Sequence, residues 1–174
     1  MTMLDGTLHT IDRVTGVVDK LVQVAVVTIF VVIFALLNLQ VAMRYVMGIP
    51  MIWLEELAGF LMAYLTLWGS SSCIRSDGHV RVSFLPDRMK SPVSRRWLSI
   101  VIHAILLFYL FYLIVYGYRF AAMGHGELTP SGTFDFFLPR LALTTGGILM
   151  AVQAAGVIVR EAVALAGGSV VSDE

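Results

Sequence analysis

The chain has 174 residues, 58% of them hydrophobic and 14% charged, with a mean hydropathy of +0.84. A soluble domain carries about 45–50% apolar and about 25% charged residues, so the apolar excess, which falls in long blocks, points to a bilayer as solvent. Net charge is zero, which gives no general attraction to nucleic acid or acidic lipid. The lone Cys73 excludes an internal disulfide and reads as a small helix-packing residue.

Residues 1–20 place Leu4, Leu8, Ile11, Thr15 and Val18 at helical spacing. This suggests an amphipathic interfacial helix lying on the membrane surface, with a frayed terminus as the alternative. The apolar run from Leu21 to Met43 follows some twenty mixed polar residues and is too long for a secretory signal. It reads as a retained first span, about 21–43. Gly48-Ile49-Pro50 then breaks the helix, because proline lacks an amide donor and restricts the residue before it.

A second span covers about 52–74, and the tight turn makes it an antiparallel neighbour of the first. Counting outward from a hairpin midpoint between Ile49 and Pro50 sets Arg44 level with Glu55. Arg44 ends one helix while Glu55 and Glu56 begin the next, so each charge suits its local dipole. An Arg44–glutamate pair is the expected arrangement. Adjacent helix positions diverge by about 100°, so the second carboxylate faces elsewhere.

The loop that follows holds Arg75, Arg81, Arg88, Lys90, Arg95 and Arg96, the densest positive cluster in the chain. Ser91-Pro92 reads as a helix start with proline in the first turn. A third span covers about 97–122 with His103 two turns inside it, and a turn-rich connection (GHGELTPSGT) leads to a fourth at about 134–159. There Gly146, Gly147, Ala151, Ala154 and Ala155 permit close helix contact. With the N-terminus inside, nine of the twelve basic residues lie on the cytoplasmic side and only Arg44, Arg119 and Arg140 outside, so both termini are expected in the cytoplasm. The expected fold is an all-α membrane protein of four transmembrane helices in one integral membrane domain, residues 1–174.

Catalytic chemistry finds little support in these residues. Haem between helices needs two axial ligands at matching depth, and of the four histidines only His103 lies within a span. Glu55-Glu56 could serve as a proton relay, but sequence neighbours do not converge on one substrate, and intramembrane charge usually has a structural partner. Asp77 and His79 make a weak metal pair, and Ser70-Ser71-Ser72 lacks a positioned base. No phosphate-binding glycine loop is present, and the basic loop reads as a topology signal and not as a nucleic-acid site. Neither an enzyme nor a bound cofactor or metal is expected. Without an internal repeat the chain also reads poorly as a complete carrier; a helper subunit fits better. The alternative is a membrane anchor of a redox or quinone-reactive enzyme.

The string Arg44-Tyr45, Gly48, Pro50, Trp53, Glu55-Glu56, then Gly69 and Gly78-His79-Val80-Arg81-Val82, resembles the small membrane subunit of the tripartite ATP-independent periplasmic (TRAP) transporters, the DctQ-like family. Four spans and the chain length agree with it. Members often carry a proline just before a glycine in the fourth span, whereas here Thr144-Thr145 precede Gly146-Gly147. The resemblance implies a large elevator-type membrane subunit that holds the substrate and sodium sites. It also implies a periplasmic substrate-binding protein that delivers an organic acid, and a static scaffold role in the bacterial inner membrane for this chain, set among membrane lipid. Arg44, Tyr45, Trp53, Glu55, Glu56, Gly69, His79 and Arg81 are then the structural and subunit-interface candidates.

Overall fold

The computed structural model describes residues 3–75 and 92–166, with side chains described over 12–74 and 93–165. Its helices are α1 (Met3–Ala42), extended by a π-helical turn at Met43–Met47, α2 (Ile52–Arg75), α3 (Pro92–Met123) and α4 (Phe137–Ala166). All four are long and apolar enough to cross a membrane. Proline opens α3 as its first residue, as the sequence predicts; the fourth helix starts three residues later than expected. His79 and Arg81 lie outside the described residues.

The lead-in is not a separate element. Thr15 and Val22 are buried, and the less exposed positions continue at Val26, Ile29, Ile33, Leu36, Gln40 and Met43. That stripe keeps one helical face pointed at the bundle from Thr15 to Met43, and the backbone is one continuous helix, so the lead-in and the first span are one rod. The apolar segment Asp12–Met47 holds 36 residues and is about 54 Å long at 1.5 Å per residue. It exceeds a hydrocarbon core of about 30 Å, and the helix must tilt or protrude.

α4 is the axle. It packs against α3 most extensively, then α2, and also α1, and a glycine marks each contact. A Cβ at Gly146 would stand 2.6 Å from Leu67 Cβ on α2, one at Gly147 3.0 Å from Ile114 Cγ1 on α3, and one at Gly156 2.7 Å from Thr15 Cγ2 on α1. Apolar packing completes the centre, where Ile74, Leu110, Met150 and Ala154 form a buried cluster flanked by Leu67, Leu106, Leu107 and Leu113. Polar side chains cross-link the same seams. Trp68 Nε1 donates to Thr145 Oγ1 (3.1 Å) and the Tyr64 hydroxyl donates to the Leu138 carbonyl (2.6 Å). Thr145 thus occupies a defined place in the α2–α4 contact. Between α1 and α4 an apolar groove opens sideways, walled by Leu21, Val22, Ala25, Trp68, Thr145, Ile148 and Leu149. Cys73, expected in a helix contact, is exposed.

Gly146→Ala should lower the thermal stability of the detergent-solubilised protein by about 1–3 kcal/mol, the cost of overpacking a tight contact. Gly69→Ala, whose Cβ meets nothing within 4 Å, should leave it unchanged or raise it. Melting followed by size-exclusion chromatography checks both.

Candidate functional site

The residues singled out in the sequence gather at the end where α1 turns into α2. Arg44 and Tyr45 sit exposed on the π-helical turn, Tyr45 with 81% of its surface accessible. Trp53 and Glu55 occupy the first turn of α2 with Glu56 directly after it, while Gly69 stands far down the same helix and is not part of the cluster. The turn follows from local chemistry. Gly48 adopts a left-handed conformation (φ 69°) and its N–H bonds the Met43 carbonyl, which Ile49 N also reaches at 3.3 Å. Glycine takes this conformation without a Cβ clash.

The expected Arg44–glutamate pair does not form; among the described residues, no ion pair joins Arg44 to either carboxylate. Residues 49–51 are non-helical and cover about 3 Å each where a helix covers about 1.5 Å. Glu55 is thereby lowered about 15 Å from the turn, past Arg44 at about 6 Å and to the neighbourhood of Gln40 at about 12 Å. Gln40 Nε2 donates to Glu55 Oε2 at 3.0 Å.

Glu56 faces the α3–α4 connection. There residues 127–136 form a small hairpin, with Thr129 N to Phe134 O at 2.9 Å and Phe136 N to Glu127 O at 3.0 Å. Its tip is a turn closed by Gly132 N to Thr129 O at 2.7 Å. Pro130 takes the second position and Gly132 the fourth, the places where turns favour those residues. This leaves the Ser131 N–H outside the turn's own bonding, and it donates to Glu56 Oε1 at 2.9 Å while the Ser131 hydroxyl donates to Glu56 Oε2. Phe60, one helical turn below Glu56, meets Phe134 edge-on at 5.9 Å. The hairpin is therefore clamped to α2.

Its other side is held by Asp135 and Arg140. Asp135 accepts from Phe137 N (2.9 Å), capping α4, and from Gly126 N (3.1 Å). These two backbone bonds, then the nearby His125 and Arg140 charges, hold its carboxyl below the ordinary value of 3.8 against the opposing effect of desolvation. Arg140 donates to Glu127 at 2.7 Å and lies over the Phe120 and Phe136 rings at 4.6 and 5.3 Å. At Gly124 a Cβ would press to 2.8 Å on the backbone of Phe136 and Phe137, so only glycine fits the close return of the chain.

The opposite end carries a second polar set. Asp12 pairs with Arg160, Thr15 O accepts from Gln153 Nε2 (3.3 Å), and Asp19 accepts from Ser72 (2.6 Å) and Gln23 (3.1 Å). Ser70 and Ser71 donate to carbonyls of their own helix. His103, the histidine on which a redox anchor would depend, directs Nδ1 to the Ser99 carbonyl at 2.8 Å. Asp12, Asp19, Glu55 and Glu56 are thus engaged in joining elements of the chain, and Glu55 and Glu56 serve different neighbours.

Residues 33–164 match the profile of the DctQ component of the tripartite ATP-independent periplasmic transporters. The chain belongs to that family. The match spans the Glu55/Glu56 turn, the hairpin and most of α4. The sialic acid TRAP transporter small permease protein of Vibrio cholerae is 26% identical over 135 residues, 77% of each chain. The sialic acid TRAP transporter permease protein of Haemophilus influenzae is 33% identical over 92 residues, 53% of this chain but only 15% of that much longer permease. This DctQ-family chain is a multi-pass protein of the inner membrane and a TRAP small permease subunit. Nothing in the relatives supports the redox-anchor alternative.

Ser131 was missed at the sequence level, although a Thr-Pro-Ser-Gly turn opposite a glutamate pair is a usable signal. Glu56→Ala and Ser131→Ala should each lower the melting temperature, and the double variant should fall little further, because both remove one contact. For Asp135, whose folded pKa is depressed, the stabilisation is fully present above 3.8 and declines as pH falls below it. Melting curves of Asp135→Asn should lack that acid-side loss.

Proposed function

We propose that this chain is the static scaffold subunit of a sodium-coupled TRAP transporter. On this reading it braces a large elevator-type permease subunit during uptake of an organic acid delivered by a periplasmic binding protein. The observation that supports the reading best is the use of its polar groups. Trp68 and Thr145, the polar groups of the lateral groove, are bonded to each other, and the rest of the groove wall is apolar. Glu55 and Glu56 tie α2 to α1 and to the hairpin. An acid held within such a groove would leave its charge without a partner, at high cost. The relatives agree in character: one is named a small permease protein, and another carries its matching stretch within a far longer permease.

Both termini face the cytoplasm in this arrangement, from the nine-to-three distribution of basic residues. The hairpin, the π-helical turn and Trp53 then lie at the periplasmic surface. Arg44, Tyr45, Trp53, Glu55 and Glu56 maintain that surface and the assembly, Gly69 leaves room on α2 for a neighbour, and His79 and Arg81 are the remaining interface candidates.

Reconstitution tests the proposal. Vesicles holding this chain with the large permease subunit, supplied with the binding protein and an inward sodium gradient, should accumulate the acid; vesicles lacking either membrane chain should not. Accumulation by this chain alone would contradict the proposal. Removing both carboxylates (Glu55→Gln with Glu56→Gln) should weaken copurification with the large subunit or reduce uptake.

A further inference from the structure

Resting on the scaffold reading, we propose that the outward face of α3 centred on Tyr109 and Tyr112 is where the large permease subunit packs, and that this partner supplies polar groups to both phenol hydroxyls. α3 turns Leu106, Leu107, Leu110 and Leu113 toward α4. The opposite side is left open, with Tyr109 60% and Tyr112 45% exposed.

Depth makes these two residues unusual. Tyr109 lies thirteen residues beyond Arg96 and ten before Arg119, so about 20 Å and about 15 Å along the axis separate it from the nearest charges. Helical side chains lean toward the helix N-terminus. In the second half of α3 that lean carries a phenol toward the middle of the bilayer and away from its nearer surface. Water is absent there, and an unpaired hydroxyl is costly.

Several other polar groups within the spans bond inside the chain, although Thr144 Oγ1 and Gln153 Oε1 stay buried without a partner among the described residues. Thr28, Asn38, Thr66 and Ser70 bond to carbonyls one turn back on their own helices, at 2.7–2.9 Å, and Tyr64 reaches Leu138 across the bundle. A tyrosine ring holds its hydroxyl too far out to bond its own helix. Among the described residues, neither Tyr109 nor Tyr112 makes a hydrogen bond. The outward face of α1, with Val24, Val27, Phe30 and Phe34 exposed, suits lipid as it stands; that of α3 does not.

The surrounding surface suits protein. Tyr112 contacts Phe108 at 5.0 Å, Phe111 at 5.9 Å and Tyr116 at 6.0 Å, and Arg119 continues the row 5.8 Å from the Tyr116 ring. Such rings present large contact area with few rotatable bonds. Arg119 forms no ion pair among the described residues, so the covering surface should place an acidic or carbonyl group opposite it. The occupant is the large subunit and not a second copy of this chain, because a two-fold contact through this same face would set Arg119 against the copy's Arg119. The Haemophilus influenzae relative, in which the matched stretch is 15% of the chain, carries a companion of sufficient size.

The test uses the chain coexpressed with its large permease subunit. A benzophenone amino acid is placed at position 109 or 112, with Phe30 on α1 and Met62 on α2 as comparison positions, and intact membranes are irradiated. Adducts with the large subunit from 109 and 112, and none above background from 30, are expected. Adducts from 30 or 62 alone, adducts at twice this chain's mass, or none despite copurification would overturn the inference while the scaffold reading stands. Absence of copurification in the parent would instead sink that reading. Independently, Tyr109→Phe and Tyr112→Phe, which alter only exposed hydroxyls, should each weaken binding of the large subunit in nanodiscs about threefold. Unchanged affinity in the double variant would contradict the proposal.

Discussion

The bundle depends most on how closely α4 approaches α2 and α3, while α1 packs mainly on α2 and meets α4 at Gly156. Hydrophobic burial does not drive helices together in lipid, because the tails are as apolar as the side chains. What remains is van der Waals contact and hydrogen bonding, and both fall off steeply with distance. Gly146, Gly147 and Gly156 bring the α4 backbone against α2, α3 and α1 in turn. The cross-links Trp68–Thr145 and Gln153–Thr15 lie within a turn of Gly146 and Gly156. The small residues permit the approach and the polar pairs fix its register.

The two ends of the bundle complete the restraint in different ways. At the hairpin end the α3–α4 connection folds back as a hairpin, and Glu56, Asp135 and Arg140 fasten it on three sides. At the other end Asp12, Asp19 and Arg160 link α1 to the last turns of α2 and α4. A body tied at both ends and packed through its middle suits a part that must resist a moving neighbour. That is the physical support for the scaffold role proposed for this small permease subunit.

Much of this was legible in the sequence. The four spans follow from apolar run length, Pro92 opens its helix as proline in a first turn should, and the small residues of α4 do mark contacts. The failures have definite causes. The Arg44–glutamate expectation assumed equal rise on both sides of the turn, and non-helical residues 49–51 broke that assumption. The lead-in seemed separate because its polar composition differs from that of the span, yet the inward stripe running on from Thr15 shows one continuous rod. Ser131, Gln153 and Arg160 find partners 75 to 148 positions away, which no local pattern reports. Gly69, by contrast, carries the family resemblance, yet a Cβ there would meet nothing within 4 Å in this chain.

If this chain is a scaffold, its helices must keep their spacing as one rigid body throughout transport. Spin labels at Val27 on α1 and Ile105 on α3, both exposed, in a chain with Cys73 replaced, would measure it by pulsed electron resonance in the assembled transporter. A rigid scaffold gives the same narrow distance distribution with and without sodium and substrate. A shift of several ångströms, or a second population that grows with sodium or substrate, would contradict it.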